Sequence, residues 1–312
     1  MNRRLVKLAL TLVTLSWATS LAQAPAMVDL GGYKVNFTCE GPVTPLTVVV
    51  IRSPVLPVGA AVGDDTHFQA SVGADLAESV RTCAYDPPGT GESDPAPRVA
   101  TAAERAEELH RVLVKVRVRS RVVLVTDRFS SQLARLFTSR HRSDVAGLVL
   151  VDPWQEDTAA AVSDFFRRRP LSRVRTGDPN AVAALNALSA FVRAYETGRA
   201  TALSGLDVVA GDREVRSVRS FGALPVVVVT SVFDVFSAAG ETGGNVTYGR
   251  ELANVLRTQQ GKLRGVSTNA RQMLFDPLDP GGTAISESEV VVEAVRAVLN
   301  AAARGRSLPG TR

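Results

Sequence analysis

Three histidines, His67, His110 and His141, two cysteines, Cys39 and Cys83, and a glycine-punctuated acidic loop, DPPGTGESD from Asp86 to Asp94, are the parts of this 312-residue chain suited to chemistry. Histidine offers a general base or a metal-ligating nitrogen, cysteine a nucleophile, and a glycine-rich loop a cradle for phosphate. Spacing decides among these. The histidines are scattered with no i, i+4 pair, so no metal site and no cofactor is expected. Neither cysteine stands beside a histidine that would activate it. The acidic loop places Gly91 and Ser93 at the offsets of a phosphate-binding loop. However, Asp86 replaces the first glycine and Glu92 the lysine, so negative charge would face phosphate and nucleotide binding is rejected. Ser130 and Ser131 have no histidine within reach and read as helix-capping or helix-surface residues. The 31 acids give accidental carboxylate pairs but no positive sign of a glycosidase.

The elements that must position these residues follow from hydrophobic pattern. Short apolar runs at Thr47–Ile51, Val80–Tyr85, Val122–Thr126, Gly147–Asp152, Pro225–Thr230 and Gln272–Phe275 suit strands buried on both faces. Helical patterns at Ala100–Val116, Ser130–His141 and Glu287–Ala303 lie between them, and such alternation predicts an α/β fold with a mostly parallel, doubly wound sheet. From Trp154 to Phe221 the alternation gives way to a helical, arginine-rich stretch, read as a lid-like insertion over the sheet. Its run of Arg167, Arg168, Arg169, Arg173 and Arg175 reads as a solvated face. The expected organisation is an export signal over 1–24, core over 25–153, helical cap over 154–221, core over 222–303 and a flexible tail over 304–312.

The opening segment has Arg3, Arg4 and Lys7, an apolar run from Leu8 to about Ala18 and small residues at Ser20, Ala22 and Ala24, the pattern of a secretory signal. Cleavage after Ala22 is favoured, since cleavage after Ala24 leaves Pro25 first. The run is short of the roughly 20 apolar residues that span a bilayer, so no stable membrane span is expected after cleavage. Of the formal charge of +5, three positive charges lie in this segment. The remaining +2 is too little for a nucleic-acid face. The expected location is secreted, periplasmic or cell-envelope, where Cys39 and Cys83 tend to oxidise to a disulfide.

A family resemblance rests on VDLGGYKVNFTCEG from Val28, TVVVI from Thr47, RTCAYDPPGTGESDP from Arg81, and VVLVTDRFSSQLARLFTSRHRSDVAGLVLVDP from Val122 to Pro153. These segments resemble the α/β-hydrolases, especially secreted ones opening with a V-D-x-G-G-Y hairpin. The likeness covers about two-thirds of the chain after the signal and implies the α/β-hydrolase fold, with Cys39 and Cys83 on neighbouring strands. It implies that the nucleophile elbow, G-x-S-x-G in the family, falls on Thr126, Asp127, Arg128, Phe129 and Ser130. Arg128 then stands at the nucleophile position, and a guanidinium cannot accept an acyl group. Family order puts the histidine after the acid, yet MLFDPLDPGGTAI, Met273–Ile285, holds none. On the same resemblance Asp234 is either the counterpart of the triad acid or a surface-loop aspartate, and Arg52, Ser53 and Pro54 stand where the family commonly supplies an oxyanion hole.

The resemblance therefore points to a non-catalytic binding or interaction protein. Arg128, Phe129, Arg52 and Ser53 are its candidate binding residues, and a small anionic ligand is favoured by Arg128 at a helix N-terminus. An alternative is that Arg128 pairs with Asp127 or Asp234 and merely fills the pocket. Two other readings are an ester hydrolase with a rebuilt nucleophile and a structural envelope protein. The protein partner is left open.

Overall fold

The computed structural model describes residues 27–54, 72–174, 179–198, 202–231, 244–275 and 286–310. The expected export signal, His67 and Asp234 lie outside the described residues. Eight strands form the main sheet: β1 (Met27–Asp29), β2 (Lys34–Glu40), β3 (Leu46–Ile51), β4 (Arg81–Asp86), β6 (Arg121–Asp127), β7 (Val145–Val151), β10 (Val226–Ser231) and β11 (Ala270–Phe275). They lie in the order β1-β2-β4-β3-β6-β7-β10-β11. From β4 to β11 neighbours run parallel, while β1 and β2 are antiparallel additions at one edge.

The central strands are continuous apolar runs because both faces are covered. Helices α2 (Ala102–Lys115) and α3 (Ser130–Arg140) pack on one face, and helix α1, residues 72–77, and α8 (Glu287–Arg304) on the other. Capping boxes start two of these helices, Thr101 with Glu104 for α2 and Ser286 with Glu289 for α8. Gly147 lets α8 approach β7: a Cβ there would lie 2.2 Å from a Val298 methyl carbon.

Between β7 and β10 the chain forms α4 (Thr158–Arg168), α5 (Pro179–Glu196) and α6 (Val208–Val215). It also contributes β8 (Ala202–Leu203) and β9 (Leu206–Asp207), which join β5 (Ala100–Thr101) in a small second sheet. Helix α7 (Gly244–Gly261) packs against α4. The insertion is tied to the core by Asp212, which accepts from Gln132 Nε2 at 2.6 Å and from the Tyr195 hydroxyl. Of the arginine run, Arg167 and Arg168 pair with Asp164, and Arg169 pairs with Glu251 and lies over Tyr248. No helix among the described residues is long and apolar enough to cross a membrane.

The end of the chain corrects one expectation. The tail is expected from 304, but Arg304 closes α8 and residues 305–310 fold back beside β11: Leu308 is buried and its N–H donates to Asn269 Oδ1 at 2.8 Å. Arg271 Nη1 donates to the Pro309 carbonyl at 3.2 Å. Apolar burial and paired backbone groups together hold the segment down.

Candidate functional site

The sheet order locates the site before any side chain is considered. After β3 the chain forms β4 on one side and later returns to form β6 on the other, so a switch in winding direction falls between β3 and β6. Ligand sites of open α/β sheets form beyond the carboxyl ends of strands at such a switch. Ile51 pairs with Thr126 there, bringing Arg52, Ser53 and Pro54 beside Asp127 and Arg128.

Arg128 lies in the turn between β6 and α3, where the family resemblance implies the elbow. Its φ is +40°, in the left-handed region that costs a non-glycine residue roughly 1–2 kcal/mol. Surrounding bonds hold it there: the Arg128 N–H donates to the Val151 carbonyl at 3.0 Å, and its carbonyl accepts from the Trp154 N–H at 3.0 Å and the Ser131 hydroxyl at 2.6 Å. The Ser130 hydroxyl donates to the Arg52 carbonyl at 2.8 Å. Both serine hydroxyls at the head of α3 therefore donate to backbone carbonyls. Arg128 Nη1 lies 3.4 Å from Asp127 Oδ2.

The other residues expected to bind are also occupied. Arg52 Nε pairs with Asp86 Oδ1 at 2.8 Å, and Asp86 Oδ2 accepts from Asn36 Nδ2 and the Glu92 N–H. The loop DPPGTGESD is thus a turn wrapped on its own first carboxylate. Gly91 is required in it, because its φ is +48° and a Cβ would fall 2.2 Å from Asp86 Oδ2. Ser53 Oγ is 3.4 Å from the Ser130 N–H, which it receives. Phe129, rather than lining an open pocket, is 0% exposed and packs on Trp154 and Phe191 beneath the insertion. Pro54 has no N–H to donate to an oxyanion. A crevice beside this turn is lined by Pro54, Pro87, Thr90, Arg105, Ser130 and Leu133.

Asp152, at the carboxyl end of β7, is the site residue that sequence reading missed. It too has φ +40°, and its Oδ1 accepts the Ser231 N–H at 2.8 Å. Burial pushes its carboxyl up to about 7, against the pull of the Ser231 N–H and the Arg128 charge, so near neutrality it holds a proton part of the time. A sequence signal existed in its place at the end of a Val-rich run, beside the elbow strand.

A pH dependence follows. The folded state binds this proton more tightly than the unfolded chain, so the stabilisation is fully present below about pH 4 and is lost as pH rises through about 7. Asp212, raised to about 6 by burial, acts in the same direction. Asp152→Asn keeps the Ser231 bond and is expected to raise stability at pH 8 by about 2 kcal/mol, while leaving it nearly unchanged at pH 4. Urea denaturation at both pH values checks this; equal effects at the two would refute it.

The two described histidines do not serve this site. His141 follows the carboxyl end of α3, roughly 16 Å along the helix from the elbow at 1.5 Å per residue. There it stacks on His110 with ring centroids 4.0 Å apart, and Glu107 joins them. Residues 107, 110 and 141 show no metal-binding pattern along the chain, so the sequence gives no sign of this grouping.

No protein-family model and no curated protein matches the sequence. Solved structures do match its shape. An α/β-hydrolase fold protein from Chitinophaga pinensis aligns with TM-score 0.52 at 11% identity, covering 90% of this chain and 97% of that one. A candidate lipase from Acinetobacter baumannii AYE aligns with TM-score 0.53 at 14% identity, covering 90% and 92%. Cfl2 from Burkholderia cenocepacia aligns with TM-score 0.50 at 14% identity, covering 90% and 95%. With the sheet order and the elbow, these likenesses define an α/β-hydrolase-fold protein. In this chain Arg128 occupies the left-handed turn between β6 and α3.

Proposed function

We propose that this is an exported α/β-hydrolase-fold protein that has given up catalysis for binding. The observation that carries the reading is the elbow itself: the turn is kept at Arg128, φ +40°, while the nearby hydroxyls of Ser130 and Ser131 are engaged by backbone carbonyls. A fold that retains a strained turn but places a cation at its tip supports recognition of charge at that point and no acyl transfer. The ligand class is a small carboxylate or phosphate, which would take the place of Asp127 as partner to Arg128. A disulfide fits an oxidising location outside the cytosol.

The test is a panel of short and medium activated esters offered to the purified protein, a heat-killed control and the Arg128→Ala and His67→Ala variants. All rates are expected to equal the control, while small dicarboxylates or phosphate raise the melting temperature of the parent and not of Arg128→Ala. Turnover above the control that persists in Arg128→Ala would overturn the reading in favour of a rebuilt nucleophile. Its loss in His67→Ala would identify the base.

A further inference from the structure

The histidine grouping lies away from the elbow and is not used by the proposed function. Glu107 and His110 are three residues apart on α2 and so share one helix face. His141, just beyond the end of α3, comes up against them where the two helices pack side by side. His141 Nε2 is 3.3 Å from Glu107 Oε2, and one ligand atom from each of Glu107, His110 and His141 lies within 4.8 Å of the others. Asp144, in the short turn that follows, sets its Oδ2 3.8 Å from His110 Nε2. Arg140 Nη1 holds the other Glu107 oxygen, Oε1, at 3.1 Å, which orients the carboxylate and leaves Oε2 toward the imidazoles.

We propose that Glu107, His110 and His141 bind a divalent transition-metal ion of the zinc type, with Asp144 beside them as a further oxygen donor. Two imidazoles and a carboxylate are a donor set suited to Zn²⁺, Co²⁺, Ni²⁺ or Cu²⁺ and poorly suited to Mg²⁺ or Ca²⁺. Metal–nitrogen and metal–oxygen bonds near 2.0–2.2 Å place neighbouring ligand atoms roughly 3.3 Å apart. The present spacing therefore needs only side-chain rotation, which the partial exposure of all three permits. Glu107 and Asp144 together offset the added charge against the single cation of Arg140. The ion would clasp α2 to the end of α3, across a contact otherwise made by apolar packing and exposed ion pairs. Because this clasp is at the far end of α3 from Arg128, it is independent of the binding reading above.

The experiment titrates tag-free, chelator-stripped protein with Co²⁺, followed by its visible absorption, and with Zn²⁺, followed by calorimetry. One ion per chain is expected, with a rise in melting temperature. His110→Gln and His141→Gln, both at partly exposed positions, are each expected to weaken binding by about 100-fold or more, and Asp144→Asn by about tenfold. His67→Ala should bind like the parent. Circular dichroism confirms that each variant is folded, and Glu107→Gln serves as a second probe should a histidine variant fail to fold. Absence of binding by the parent, or binding that survives both histidine substitutions, would overturn the proposal.

Discussion

Replacing Glu108 by alanine is expected to destabilise the protein by about 3–5 kcal/mol, the effect of removing one partner from a buried ion pair. Arg105 and Glu108 are one turn apart on α2, 2% and 6% exposed, with Arg105 Nη1 2.6 Å from Glu108 Oε2. Arg105 Nη2 donates to the Gly205 carbonyl at 3.0 Å, and the Tyr33 hydroxyl donates to Glu108 Oε1 at 2.7 Å. The pair therefore joins the N-terminal hairpin, α2 and the insertion at one point. Burial and the bond to Glu108 hold the Tyr33 phenol above its ordinary range, as expected of a donor facing a carboxylate. Without Glu108, the guanidinium stays buried with only a carbonyl to answer it, and the Tyr33 hydroxyl loses its acceptor. Replacing both charges, Arg105→Met with Glu108→Leu, should restore most of the loss, because the desolvation of the pair opposes its attraction. Urea denaturation of the single and double variants measures this. A loss below about 1 kcal/mol in Glu108→Ala would mean that water reaches Arg105 and that the junction is not dry.

The disulfide carries the second large effect. Cys39 and Cys83 face each other across the antiparallel pair β2 and β4, and the bridge closes a loop spanning a sequence separation of 44. In the chain-entropy description, a loop of that length contributes about 4 kcal/mol by restricting the unfolded chain. Reduction, or Cys39→Ala with Cys83→Ala, is expected to lower stability by about that amount while the folded sheet keeps its register. Denaturation with and without reductant gives the value. The alanine pair should then be indifferent to reductant; a reductant effect that persists in it would refute the assignment.

Much of the scaffold was legible because buried parallel strands write themselves as unbroken Val, Ile and Leu runs. The expected Thr47–Ile51, Val122–Thr126 and Pro225–Thr230 differ from β3, β6 and β10 by a residue or so at the ends. Helix α7 leaves little trace in the sequence, since RTQQG and its neighbours give no strong apolar stripe and its packing against α4 decides its place. The two-residue strands β5, β8 and β9 are too short to show any period. Leu308 stands alone among polar and small residues, so only Asn269, distant in the chain, makes its burial intelligible.

Residue types are legible from the chain alone: an arginine at 128, a proline without an N–H at 54, and no histidine from Met273 to Ile285. These are matters of residue type at a position, which need no geometry. The pairings, in contrast, exist only in the folded chain: Arg52 with Asp86, Arg105 with Glu108, Asp152 beside Ser231, and His110 stacked on His141. The reason is physical. A charge–charge or ring–ring contact depends on distance, orientation and exclusion of water, and these are fixed by strand register and helix packing between segments remote in the chain.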